Sequence, residues 1–350
     1  MDTQRLILLF IFGFSVLMLW EAWQKEMRPQ PQPAPSATVE RGVPAPSTPA
    51  PPVQEVPASP AAGPAPAVPA AAAPQAKGEV VRVATDLVVA EIDSLGGTLS
   101  RLELRKHKDS ADATQNFVLL GPQHRYEAQS GLAGEGPNHR TQWTVVPGER
   151  ELKPGADTLE VRLRASAPNG LEVDKIYRFH RNSYVVDVVL EVRNGGTTAQ
   201  APYGYFQLTH DGRPSVDANA VASTFGARSF TGFATFSNER KFEKIPSEDI
   251  ESGDVDMTVR AKDGWLAFVQ HYFVSAWMPP EGTAREYVVE KRGDGSYAGR
   301  ALVPVGTLAP GESRQISVPL YAGPQEKRRL SEAAPGLDLV VDYGWLTIIA

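Results

Sequence analysis

The sequence predicts a mainly β fold, a large antiparallel sandwich of two stacked sheets carried behind one N-terminal apolar segment. Three observations predict it. Tyr184, Val186, Val188, Leu190 and Val192 fall on one face of an extended segment, with Val185, Asp187, Val189, Glu191 and Arg193 on the other; this period of two marks a strand. Turn dipeptides punctuate the apolar runs. Asn169-Gly170 stands between the alternating Leu159–Ala165 and Leu171–His180, and Asn194-Gly195-Gly196 marks the next exit, the chemistry that two-residue hairpins require. Finally, no amphipathic helical pattern of useful length precedes residue 320.

Read from the N-terminus, residues 1–5 are a short polar start. Leu6 to Trp20 are fifteen positions without charge, and Ala22 and Trp23 extend the run past Glu21. Eighteen residues at ~1.5 Å each reach ~27 Å, close to the ~30 Å hydrocarbon core of a bilayer. Arg5 precedes Leu6, and Trp20 and Trp23 stand where an interfacial aromatic belt would sit. No small-x-small cleavage site follows directly. Residues 6–23 are therefore expected to be an uncleaved transmembrane anchor, with the N-terminus cytoplasmic and the rest exported.

Residues 24–76 read as a disordered linker. From Pro29 to Ala76 the chain holds 15 of its 30 prolines and 14 alanines, with Glu40, Arg41 and Glu55 as its only charges. Lacking large apolar side chains beyond a few valines, it cannot offset the entropy of ordering. Residues 77–322 are expected to form the β domain. Within it, Leu266 to Trp277 is nearly continuous apolar sequence, the pattern of one strand covered on both faces.

The tail, 323–350, changes character. Pro324 suits a first helical position and Pro335-Gly336 a stop, giving a helix of about three turns. Leu330, Ala333 and Ala334 form its packing face; Lys327-Arg328-Arg329 would meet anionic lipid or simply be solvated. Beyond it, Asp338 and Asp342 are expected to face water while Leu337, Leu339, Val340 and Val341 pack inward. Tyr343 and Trp345 suit a membrane–water boundary. The sequence stops inside an apolar run, so a further, membrane-entering part is expected after residue 350.

Composition excludes several classes of function. With 35 Lys plus Arg against 41 Asp plus Glu the net charge is −6, and no basic face suited to nucleic-acid phosphates is evident. Zero Cys removes disulfides, thiolate metal sites and cysteine nucleophiles. The six His (107, 124, 139, 180, 210, 271) show no ligand-pair spacing. Gly96-Gly97 and Asn194-Gly195-Gly196 lack the following Lys of a phosphate loop and read as turns. For acid–base chemistry the strongest of a weak set is His210 with Asp211, in a turn after Tyr203–Thr209; His180 and His271 sit in strand patterns. No cofactor and no metal are expected.

Met1-Asp-Thr-Gln-Arg5 before the apolar run and Trp23-Gln-Lys-Glu26 after it resemble the start of the YidC family of bacterial membrane protein insertases. So do Asp93-Ser-Leu-Gly-Gly97, Tyr126–Leu132 and Gly264-Trp265. The most specific match is Ala334-Pro-Gly-Leu-Asp-Leu-Val-Val-Asp-Tyr-Gly-Trp-Leu346, which is similar to the family's junction between periplasmic domain and membrane core. The resemblance implies a periplasmic β-supersandwich of galactose-mutarotase-like fold and an inner-membrane location. It implies a non-enzymatic role in inserting nascent inner-membrane proteins, with the Sec translocon, its accessory subunits and the lipid bilayer as partners, and no nucleic acid. The junction residues it points to are Pro324, Leu330, Pro335, Gly336, Leu337, Asp342, Tyr343, Gly344 and Trp345. A membrane-tethered periplasmic sugar-binding or adaptor protein is the alternative.

Overall fold

In a computed structural model the structure describes residues 78–213 and 230–341. These contain eighteen strands, numbered in chain order, in two nine-stranded sheets. The first sheet runs across β1 (Val80–Ala84), β2 (Val88–Asp93), β3 (Thr98–Lys108), β5 (Glu127–Leu132), β10 (Tyr203–His210), β17 (Tyr297–Pro304), β16 (Arg285–Lys291) and β13 (Arg260–Ala261); β4 (Asn116–Leu120) also pairs with β3. The second runs across β12 (Lys241–Ile245), β11 (Gly232–Ser237), β14 (Trp265–Val269), β15 (Phe273–Trp277), β18 (Ser313–Pro324), β9 (Val185–Asn194), β8 (Leu171–His180), β7 (Thr158–Ser166) and β6 (Thr144–Val145). Every ladder between these strands is antiparallel.

The alternation read along β9 is realised. Tyr184, Val186, Val188, Leu190 and Val192 are buried, while Asp187, Glu191 and Arg193 keep some exposure. The sheets meet through rings: Phe206 of β10 lies 5.3 Å from Trp277 of β15, and His210 stacks on Phe268 of β14 at 4.1 Å. One side of the second sheet thus fills the core, and the opposite side of β7–β9 carries charges.

Three expectations need correction. Leu266–Trp277 is not one strand but the hairpin β14–β15, paired from Leu266↔Trp277 to Val269↔Val274. Gln270, His271 and Tyr272 interrupt the apolar run, so His271 lies in the turn rather than in a strand. The Asn169-Gly170 hairpin exists, but its turn spans Ala167 to Gly170, with Gly170 N donating to Ala167 O at 3.0 Å and only Gly170 left-handed, at φ 85°. Pro168 sets the first corner and glycine supplies the positive φ, the pattern of a type I turn followed by a left-handed residue.

The third concerns the tail. Pro324 is the last residue of β18, paired with Phe273, and does not open the helix. The helix, α2 (Lys327–Ala333), has two turns rather than three. A shorter helix, α1 (Ser247–Ser252), is the only other α-helix among the described residues. After α2, Leu337 and Val340 are buried in a 3-10 turn, whereas Leu339, expected inward, is 48% exposed, because three residues per turn put positions 337 and 340 on one face and 339 on another. Among the described residues no helix is long and apolar enough to cross a membrane; the expected anchor, 6–23, and the linker lie outside them.

Candidate functional site

Four of the residues selected at the tail, Leu330, Pro335, Gly336 and Leu337, lie close together beside the second sheet. β18 delivers the chain to Pro324, whose carbonyl accepts the Tyr321 hydroxyl at 2.7 Å. Gln325 then clamps the β14–β15 turn, its amide donating to Gln270 O at 2.7 Å while its backbone N–H donates to Tyr272 O at 2.8 Å. On α2, Leu330 is buried; Arg329 donates to Glu326 at 2.7 Å and to Asn182 O at 3.0 Å, with its guanidinium 5.2 Å from the Tyr184 ring. The exposed Arg328–Glu332 pair contributes little, being screened by water.

The helix stops where sequence chemistry says it must. Pro335 cannot extend it, and Gly336 takes φ 72°, re-aiming the backbone into Leu337–Val340. The indole N–H of Trp265 donates to Pro335 O at 3.1 Å, and Phe236 stacks on Trp265 at 5.8 Å. A neighbouring pocket of about 230 Å³ is lined by Phe236, Trp265, Met278, Pro280 and Pro335 among others. Of the junction residues, Leu330, Pro335, Gly336 and Leu337 are brought together here and Pro324 is not. Asp342, Tyr343, Gly344 and Trp345 lie outside the described residues, as do Arg5, Leu6, Trp20 and Trp23.

His210 and Asp211 form a different arrangement from the one expected. His210 ends β10 fully buried, and Asp211 comes next, half-buried. His124 stacks on His210 with ring centroids 5.3 Å apart and planes 7° from parallel, and its Nδ1 lies 3.3 Å from Asp211 Oδ1. Three ligand-type atoms thus lie within 4.8 Å. The geometry does not suit a metal, because parallel stacked rings hold their lone pairs in separate planes. The Nδ1 lone pair of His210 moreover already accepts the Gly212 N–H at 2.9 Å. Burial pushes the His210 pKa down to about 3, so the ring is neutral near pH 7 and has no exposed face with which to exchange a proton. His180 pairs across the strands with Asp187 at 2.8 Å.

On the charged side of the second sheet, Arg162 bridges Asp174 at 2.9 Å and Glu191 at 2.7 Å, and Arg164 grips the same Asp174 at 2.6 Å. These guanidinium contacts hold the Asp174 carboxyl below its usual range. Arg164, Asp174 and Glu191 line part of an open groove of about 1000 Å³ together with Glu172, Arg193 and Arg314. Cations and carboxylates alternate there, so the groove selects no ligand by charge.

Sequence reading missed Lys175. It is wholly buried between the sheets, its Nζ donating to Gly96 O at 2.9 Å, Gly97 O at 3.1 Å and Ser130 O at 2.7 Å, and lying 4.3 Å from the Trp143 ring. Burial lowers its pKa well below that of a free lysine, while three carbonyl dipoles and the indole face favour the ammonium. A signal was present: Val173, Lys175, Tyr177 and Phe179 share one phase of the alternation in β8.

Residues 80–350 match the family model described as the YidC periplasmic domain. Membrane protein insertase YidC of Aromatoleum aromaticum is 47% identical over 354 residues, covering all of this chain and 62% of that protein. That of Nitrosospira multiformis is 42% identical over 362 residues, again covering this whole chain and 63% of the relative. The chain therefore spans 62–63% of the length of these curated relatives. Among solved structures, a galactose mutarotase related enzyme of Lactobacillus acidophilus covers 70% of this chain and 97% of its own, at 10% identity and a TM-score of 0.44.

Proposed function

The chain belongs to the YidC family of membrane protein insertases, and we propose that it is the anchor and periplasmic part of such an insertase, a scaffold that presents its tail to a membrane core. The observation that carries this reading is the contact of Trp265 with Pro335, which fixes the tail to the β domain. In this reading residues 1–5 are cytoplasmic, 6–23 span the inner membrane, 24–76 are a tether, and the periplasmic β domain begins near 77. Residues 323–350 are the junction in this reading, with β18 running on as far as Pro324.

The work such a protein supports is solvation rather than bond chemistry. A polar segment crossing hydrocarbon leaves backbone and charged groups unsatisfied, each at a cost of several kcal/mol. A membrane core that offers a wet, half-open path lowers that cost without a catalytic residue. The β domain's part is to hold the junction and to offer a surface to nascent inner-membrane proteins and to the Sec translocon with its accessory subunits.

Two deletions in the full-length protein test the reading, scored by growth and by insertion of a small model substrate. Loss of 77–322 is expected to be tolerated better than loss of 324–346. Equal tolerance of both would remove the junction from any special role.

A further inference from the structure

At the end of the domain where β18 hands over to α2, four chain segments far apart in sequence are brought close together. The tail of β3 supplies Arg105, Lys106 and Lys108, all exposed. The turn after β8 supplies Arg181, and α2 supplies Lys327, Arg328 and Arg329. Tyr272, 56% exposed at the tip of the β14–β15 hairpin, completes the set. The segments are tied by contacts: the His107 ring lies 5.6 Å from Phe273 and its Nε2 is 3.4 Å from the Tyr184 hydroxyl. Arg329 packs on Tyr184 and donates to Asn182 O, and the Asn182 N–H donates to Asp86.

Five carboxylates lie on or beside these segments, and each is turned to a local partner. Glu326 and Glu332 pair with Arg329 and Arg328. Asp86 accepts from Asn182, while Asp109 and Asp112 accept backbone N–H groups of their own loop. Among the described residues, Arg105, Lys106, Lys108, Arg181 and Lys327 have no carboxylate partner. In a chain of net charge −6 this end carries seven cations against those five carboxylates.

We propose that this end of the domain docks on the surface of an anionic phospholipid bilayer, with Lys106, Lys108 and Lys327 at the headgroups and Tyr272 at the interface. Charge complementarity carries the assignment: basic side chains near an anionic leaflet each strengthen attachment by roughly fivefold, and an amphipathic ring is favoured at headgroup depth. A basic surface with an exposed aromatic at its tip suits lipid better than a protein groove, since it presents no apolar cleft. The inference rests on the tethered reading only in that the anchor would keep a bilayer nearby.

The absence of cysteine allows the test on the full chain. Tyr272→Cys and, separately, Ser15→Cys carry an environment-sensitive fluorophore, and each protein is mixed with vesicles of phosphatidylcholine alone or with added phosphatidylglycerol. The Tyr272 label is expected to shift to the blue only on the anionic vesicles, and to revert in about 1 M salt, where the screening length falls to ~3 Å. Adding Lys106→Glu, Lys108→Glu and Lys327→Glu is expected to weaken partitioning of that label at least tenfold. A label at Ser313→Cys, at the far end of β18, is expected to stay in water. A silent Tyr272 label on anionic vesicles, an equal shift on neutral ones, or a triple variant that behaves like its parent overturns the inference, whatever Ser15 reports. A water-exposed Ser15 label beside a lipid-dependent Tyr272 label overturns the anchor reading instead and leaves the docking surface standing.

Discussion

Trp265 donates its indole N–H to the carbonyl of Pro335 at 3.1 Å, across 70 residues of sequence. The bond satisfies a carbonyl at the end of α2 and fixes the direction in which the chain leaves the domain. Gly264-Trp265 and the run beginning at Ala334 were legible separately as family-like motifs. Nothing in their spacing says that they touch, because the contact joins the first residue of β14 to the turn after α2 and exists only in the folded chain.

Lys175→Met is expected to destabilise the β domain by about 2 kcal/mol or more. Gly97 O keeps the Tyr177 hydroxyl at 2.7 Å, but Gly96 O and Ser130 O lose the ammonium that serves them. An unsatisfied buried polar group costs about 1–3 kcal/mol. The opposing effect is relief of the buried charge, which methionine also provides. Urea unfolding followed by near-UV dichroism decides between them, and a variant as stable as its parent would show that desolvation wins.

Stability is expected to fall as the solution is acidified below about pH 6.5. Burial depresses His210, and burial together with Arg292 and Arg140 depresses His139, each to about 3 in the fold. An unfolded histidine titrates near 6.5, so between these values only the unfolded chain takes the proton. The contribution is complete above the unfolded pKa and is lost as pH drops toward the folded one. Each such group tilts stability by up to about 1.4 kcal/mol per pH unit. His210→Gln should remove one proton from the slope, so that between pH 6.5 and 5 it loses about 2 kcal/mol less than the parent. Parallel slopes for the two proteins would contradict the buried, neutral histidine.

What the sequence made legible was governed by local periodicity. The inward set Tyr184 to Val192 could be read because period two and burial coincide. Leu266–Trp277 could not be divided, since both arms of a hairpin buried on both faces are apolar and only Gln270 to Tyr272 mark the turn. Pro324 read as a helix start because proline suits that position, yet β18 runs to it and the helix opens only at Lys327. Lys175 sat in the inward phase of β8 and was passed over because a charge is expected outside. Its three carbonyl partners come from segments 45 to 79 residues away, which no local pattern shows.

Gly336→Ala is expected to loosen the junction while leaving the sheets intact. The position has φ 72°, and a Cβ there would meet the Phe236 ring. Left-handed backbone at a residue with a Cβ costs about 1–2 kcal/mol before any clash. Amide hydrogen exchange should quicken across Leu330–Val340 and stay unchanged in β8 and β9. Uniform protection in both regions would show that Gly336 imposes no local constraint.

The sharpest test of the tail's role is Trp265→Phe. Phenylalanine preserves an aromatic ring against Phe236 but removes the only donor that the indole gives to Pro335 O. A single neutral hydrogen bond contributes about 1 kcal/mol, so the β domain should remain folded with a modest loss of stability. If the domain's task is to hold the junction in one orientation, that small loss should be accompanied by a larger loss of substrate insertion in the full-length protein. A second variant, Val80→Ala, changes a surface residue of β1 that is 47% exposed and controls for general effects on the domain. Insertion that tracks overall stability equally in both variants would mean the bond only packs the domain. Insertion that falls in Trp265→Phe alone, at matched protein levels, supports the contact with Pro335 as the coupling between the β domain and the proposed membrane core.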